Sequence, residues 1–359
     1  MSTLKVSFVN LGRQYATLKE PIRELQDKVY GSGVMLDGPY TAEFEKAIAL
    51  RCRRNYAVAV NSCTQALGFA VDITTPKGER VMIPALSFRA TLNAVTQSHR
   101  VSFWDTNAKD GLMRLEEILT IRPDRTVIYV DLFGGMHDLR QLSQLSQPVI
   151  EDAAQAFGSL YDGVPAGSFG DISCLSFDPM KNLPNYGSGG MLLTDYEHYY
   201  TAAKNLRDNG KLRNSSYGTN SKMSELDCAV MLLKLNQFFD AWQKRRTEIA
   251  QYYIAHLKPF SYFHKTLSIL EHSPMVTPNW SKFILKIEKN RDALKAHLAD
   301  KGIETRINYE QTLPAILGDK DSYPRAEFFS QTNLALPIYP EMTDNEVEYV
   351  TKEVINFLK

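Results

Sequence analysis

The chain has 359 residues, with 41 Lys plus Arg balanced by 41 Asp plus Glu, and is 44% hydrophobic and 23% charged. Such a chain can bury a sizeable core and divides into a large and a smaller domain or two comparable ones. With no net charge, neither a nucleic-acid footprint nor an acidic-membrane partner is suggested. The cysteines (Cys52, Cys63, Cys174 and Cys228) form no C-x-x-C zinc pair, and neither a signal peptide over Met1 to Leu11 nor a membrane-length apolar run is seen, so the chain reads as cytoplasmic with reduced thiols.

Short apolar, β-branched runs recur at Tyr56–Val60, Arg80–Ile83, Arg100–Trp104, Thr126–Val130, Pro148–Glu151, Ile172–Phe177 and Gly190–Thr194. They fit strands buried on both faces. Helix-length segments lie between several of them, at Thr64–Ile73, Ala90–Gln97, Arg114–Thr120 and Leu139–Leu145. Strand and helix alternating in this way predict a mostly parallel sheet flanked by helices, an α/β fold. Met223, Leu226, Val230, Leu233 and Gln237 then recur at helical spacing, and Lys244–Glu248 suits a solvated helix face. A domain change is placed here, giving a large domain over 1–245 and a smaller α+β domain over 246–359, with the N-terminal segment a candidate to pack on the smaller one. In that smaller part Phe283–Ile287 reads as a strand, and Arg291–Asp300 and Asp344–Leu358 as helices.

Chemistry gathers in three segments. In Asn61-Ser62-Cys63-Thr64-Gln65 a strand gives way to a helix, whose free N–H groups and dipole attract an anion such as phosphate. The same residues suit a plain helix cap. In Glu151-Asp152-Ala153-Ala154-Gln155 an acid ends a strand, where ligands bind in open α/β sheets, and Gln155 follows one helical turn on. Capping by Asp152 accounts for it equally well. Ser176-Phe177-Asp178-Pro179-Met180-Lys181 brings a lysine after a proline turn, which alone describes a surface residue. Together the three supply a phosphate cradle, an acid, an amide and an amine at strand ends. That is the set required by pyridoxal phosphate. A hydrolase is excluded because Ser62 lies in no G-x-S-x-G elbow, and His137-Asp138 reads as a helix start.

In this order the motifs resemble the DegT/DnrJ/EryC1/StrS sugar aminotransferases, pyridoxal-phosphate enzymes of fold type I. The resemblance is carried by Gly38-Pro39 with Phe44-Glu45, Asn61–Leu67, Pro84–Phe88, Glu151–Gln155, Ser176-Phe177 with Lys181, and Gly218–Leu226. It implies a large domain with a seven-stranded sheet. It further implies that Lys181 is the catalytic residue and holds the cofactor as a Schiff base, with Asp152 on the pyridine nitrogen, Gln155 on the ring hydroxyl and Phe88 stacked on the ring. Thr64, the Cys63 amide and Ser176, together with Ser62, would hold the phosphate. Asn220 would reach the cofactor of the neighbouring subunit in a homodimer with shared sites. The implied activity converts a nucleotide-linked keto-sugar to an amino sugar, with glutamate as donor and pyridoxamine phosphate as the intermediate cofactor form, in cell-surface polysaccharide or natural-product sugar biosynthesis. Relatives with histidine at the lysine position are sugar dehydratases, so Lys181 points to transamination. No metal is implied. Cys63 stands where the family has Gly, and Ser188 where it commonly has Glu. Other fold-type-I enzymes, such as lyases or amino-acid aminotransferases with Arg306 as a carboxylate clamp, and a non-catalytic regulator share the scaffold. Asn308-Tyr309 is open between a sugar contact and a core position.

Overall fold

The computed structural model describes residues 4–121, 124–213, 217–263 and 267–359. Helix α1 (Leu11–Ser32) starts where the Asn10 side chain accepts the Arg13 N–H at 3.1 Å, and stops at Gly33, whose φ of 72° is the left-handed turn that glycine adopts without cost. Helix α2 (Pro39–Arg51) leads into strand β1 (Tyr56–Val60) and helix α3 (Cys63–Thr74). Next come β2 (Arg80–Pro84), α4 (Arg89–Thr96), β3 (Arg100–Trp104), β4 (Thr126–Val130) and β5 (Val149–Asp152). A ribbon of β6 (Leu160–Tyr161) and β7 (Val164–Pro165) precedes β8 (Ile172–Ser176) and β9 (Gly190–Thr194).

The large sheet has seven strands in the order β1-β9-β8-β5-β4-β2-β3. Neighbours among β8, β5, β4, β2 and β3 pair parallel, while β9 pairs antiparallel with both β1 and β8. The carboxyl ends of β1, β2, β5 and β8 therefore share one edge with the start of β9. Cores cover both faces. One contains Leu67, Val71, Ile83 and Ile150, the other Phe44, Tyr129, Leu175 and Phe177. This is the mostly parallel α/β fold that the alternating pattern predicts, with the seven strands that the resemblance implies.

A second, antiparallel sheet joins Leu267–Ile269, Phe283–Ile287 and Asn333–Leu336. The helices Arg291–Asp300 and Asp344–Leu358 pack on it around Leu285, Leu298 and Val350. Val6 belongs to this core and exchanges backbone bonds with Gly302 and Glu304, both at 2.9 Å.

Local departures from the sequence reading have physical causes. Residue 245 falls inside a continuous helix, Phe239–Phe263, which carries Phe239 in the large-sheet core and Ile249, Tyr253 and Leu257 in the other. The solvated face expected over Lys244–Glu248 is interrupted by Arg246, which is buried and donates to the Ile338 carbonyl at 2.6 Å. The helix expected at Leu139–Leu145 is a short 3-10 turn, Leu139–Gln144, fixed at its start by Asp138 accepting the Arg140 N–H. Helix α1 gives a weak signal in the sequence because Pro21 sits inside it. Among the described residues, no helix is long and apolar enough to cross a membrane.

Two of the quoted motifs meet. Glu225, 1% exposed, accepts the N–H groups of Gly38, Tyr40 and Thr41 and the Thr41 hydroxyl at 2.5–3.1 Å, and so satisfies the open end of α2. Removing it orphans several buried donors. Glu225→Ala is expected to destabilise the fold by about 3 kcal/mol in urea denaturation; a loss under about 0.5 kcal/mol would show that water replaces the carboxylate.

Candidate active site

The shared strand edge assembles the site. β1 ends into Ser62, whose side chain accepts the Gln65 N–H at 3.2 Å and caps α3. The first N–H groups of that helix, at Cys63 and Thr64, have no carbonyl partner within the helix and are free to meet an anion. On the next rungs Gly190 pairs with both Val60 and Ser176. A Cβ on Gly190 would collide with the Ser62–Cys63 backbone, so glycine is required there to bring the strand against the cradle. Cys63 itself is not among the residues with positive φ and accepts its side chain without strain.

β8 delivers Ser176 and then a turn in which Asp178 accepts the Met180 N–H through its carboxylate and the Lys181 N–H through its carbonyl, both at 2.9 Å. Asn182 locks the far side of the turn, donating to the Asn279 carbonyl at 2.6 Å and to Gln243 at 2.8 Å. Lys181 therefore projects from a pinned turn into a cavity of about 390 Å³ and is no surface lysine. Burial holds its ammonium below the ordinary lysine range, against the pull of Cys63, Asp152 and Asp178.

Asp152 forms the last rung of β5, opposite Val130 and Cys174, one residue earlier than a position just past the strand. Burial raises its carboxyl above the usual carboxylate range. The Thr91 hydroxyl at 2.9 Å, the Ala154 N–H at 3.2 Å and Lys181 favour the charged form. Gln155 accepts the Phe133 N–H at 3.3 Å and donates to the Tyr309 hydroxyl at 2.9 Å. Phe88, 52% exposed at the start of α4, lies 5.8 Å from the Tyr309 ring.

Ser62, Cys63, Thr64, Phe88, Asp152, Gln155, Ser176 and Lys181 all line this one cavity. Asn220 does not; it is exposed and forms an isolated bridge with Asp208. It is no helix cap either, since Ser224 caps the following helix by accepting the Asp227 N–H at 3.0 Å. Ser188 and Tyr309 also line the cavity. Sequence reasoning passes over Thr91, Ser281 and Lys282, which are there too. Thr91 carries a weak signal, one helical turn beyond Ser87 with the two hydroxyls 2.9 Å apart. Ser281 and Lys282 carry none, because a distant segment brings them in.

These groups fit pyridoxal phosphate. Unpaired helix N–H groups and hydroxyls suit its phosphate, a buried acid suits its ring N–H, an exposed aromatic ring suits stacking, and an amine with a lowered pKa suits its aldehyde.

A family model described as the DegT/DnrJ/EryC1/StrS aminotransferase family matches residues 17–355. A "dTDP-3-amino-3,4,6-trideoxy-alpha-D-glucose transaminase" from Streptomyces venezuelae is 31% identical over 359 residues, covering 95% of this chain and 93% of the relative. A "GDP-perosamine synthase" from Escherichia coli O157:H7 is 30% identical over 355 residues, covering 94% and 95%. The crystal structure of S. venezuelae DesV in complex with a ketimine intermediate superposes with a TM-score of 0.92 at 28% identity, covering 99% of each chain.

Thr91→Val removes a hydrogen bond that favours the charged form of Asp152, so the carboxyl rises further and grips a protonated ring nitrogen less well. Cofactor retention in equilibrium dialysis is expected to weaken about tenfold, and Thr91→Ser to restore it. Equal retention in all three proteins would remove Thr91 from the site.

Proposed function

The chain belongs to the DegT/DnrJ/EryC1/StrS aminotransferase family, and we propose that it transfers an amino group from an amino acid, with glutamate as donor, to the keto group of a nucleotide-linked sugar. It is a pyridoxal-phosphate-dependent transaminase. The reading of its site rests on one observation above the rest: the Lys181 amine and the Asp152 carboxyl line one cavity with free helix N–H groups at its edge. The compounds named for the two relatives are a dTDP-linked amino sugar and GDP-perosamine, which supports the nucleotide-sugar class and leaves the base open. Unpaired, buried Cys52, Cys63, Cys174 and Cys228 suit the reducing cytoplasm.

Pyridoxal phosphate, when bound, supplies an aldehyde for amines and a ring that draws electrons from the reacting carbon. The chain supplies the rest. The first-turn amides of Cys63 and Thr64, with Ser62 and Ser176, hold the phosphate. Asp152, oriented by Thr91 and the Ala154 N–H, keeps the ring nitrogen protonated by charge pairing. Gln155, steadied by Tyr309, takes the ring hydroxyl, and Phe88 covers the ring face. Lys181 is neutral more readily than a solvated lysine. It would therefore be able to serve as the amine for that aldehyde and, when free, to hold and move a proton at Nζ beside the reacting carbon. Donor and keto-sugar would use the same site in turn, so ping-pong kinetics are expected.

Asn220, exposed on its own chain, is assigned to the cofactor phosphate of the neighbouring subunit in a homodimer. Glutamate alone, followed by a panel of nucleotide-linked keto-sugars with mass detection, tests the two halves. Lys181→Ala should abolish turnover, and substantial residual turnover would reject Lys181 as the catalytic residue. Asn220→Ala should lose cofactor more readily; unchanged retention would confine Asn220 to its own subunit.

A further inference from the structure

At the opposite edge of the large sheet, where its parallel strands begin, three arginines stand in one row. Arg80 is the first residue of β2 and pairs in register with Arg100, the first of β3. The rung joining Val81 to Thr126 sets Arg125 one place back, on the other side of Arg80. Residues in register on neighbouring strands project to one face, and like charges placed opposite each other are unfavourable there unless an anion shares them. All three arginines line one cavity of about 460 Å³, together with Thr75, Thr126 and Gln147.

Little in the chain offsets this charge. Arg80 has no side-chain partner among the described residues, nor has Gln147. Arg100 donates to the Gly78 carbonyl at 2.8 Å and meets no carboxylate among the described residues. Arg125 is ion-paired with Asp124 at 2.6 Å, a carboxylate that is 81% exposed. Glu79 also lines the cavity but forms no ion pair among the described residues. Thr75 donates its hydroxyl to that of Thr126 at 2.8 Å, which leaves the Thr126 proton without an acceptor among the described residues.

We infer that Arg80, Arg100 and Arg125 form a second anion site, remote from the cofactor cavity, that takes a diphosphate group. Neighbouring strands lie about 4.8 Å apart, so the row extends over about 10 Å. A single phosphate meets one or two forked guanidiniums over that length, whereas two linked phosphoryl groups present oxygens along all of it. Gln147 and Thr126 add neutral donors. The site shares no residue with the cavity around Lys181, so it stands independently of the transaminase reading. Diphosphate occurs as the free ion and within nucleotides, and both offer this row the same chemistry.

Calorimetric titration of the protein saturated with pyridoxal phosphate, using pyrophosphate, UDP and inorganic phosphate, tests the site with the phosphate cradle already filled. Pyrophosphate is expected to bind at least about tenfold more tightly than phosphate, and Arg80→Gln and Arg100→Gln each to weaken it about tenfold. Arg80→Lys, which keeps the charge without the fork, should lose less. Arg23→Gln, at an exposed arginine on α1, should leave the affinity as it is. UDP weakened along with pyrophosphate supports a nucleotide site, and pyrophosphate weakened alone supports a site for the free ion. The inference is overturned if pyrophosphate shows no saturable binding, if phosphate binds equally well, or if Arg80→Gln and Arg100→Gln bind pyrophosphate as before. An equal loss in Arg23→Gln would also overturn it, by reducing the effect to general attraction. Visible absorbance of the bound cofactor, a strand length away, should be the same in every variant and reports folding.

Discussion

An acid and an amine enclosed in one cavity each lose hydration, and the cost is met only if each charge finds polar partners. Asp152 has the Thr91 hydroxyl, the Ala154 N–H and the nearby Lys181 amine. Lys181 is carried by a turn whose Asp178 and Asn182 bonds leave its backbone little freedom. Burial drives both groups toward their neutral forms. Pyridoxal phosphate held as proposed would bring an aldehyde to one and a protonated ring nitrogen to the other, and so relieve both penalties.

The sheet makes this arrangement possible. Parallel strands send their carboxyl ends to a common edge, so residues far apart in sequence, Ser62, Asp152 and Ser176 among them, converge without long loops. The one reversed strand, β9, contributes a glycine at the rung between Val60 and Ser176, where a side chain would push the phosphate cradle aside. Glu225 ties the segment containing Asn220 to the start of α2. The catalytic edge and the surface around Asn220 are thus parts of one connected framework.

Much of this was legible in the sequence because the large-sheet strands are continuous apolar runs and the site residues occupy short motifs at their ends. Lys181 alone reads as a surface residue; its role emerges only beside Asp152 and the Ser62 cradle, since proximity in space is what separates a nucleophile from a solvated lysine. What stayed hidden depends on contacts between distant segments. Arg246 looks solvated within a polar stretch, yet the Ile338 carbonyl draws it inside. Thr91 gains its importance from a carboxylate 61 residues away. Ser281 and Lys282 sit before an ordinary strand and reach the cavity only because the second sheet packs against the first.

Two lysines share the cavity, and which of them bonds the cofactor is decisive, since Lys282 lies close to Lys181 and is also depressed in pKa. Reducing the cofactor-loaded protein with borohydride and mapping the phosphopyridoxyl group by peptide mass spectrometry decides this directly. The label is expected on the peptide containing Lys181 and not on that containing Lys282. A label on Lys282, or none on either lysine, would contradict the assignment to Lys181.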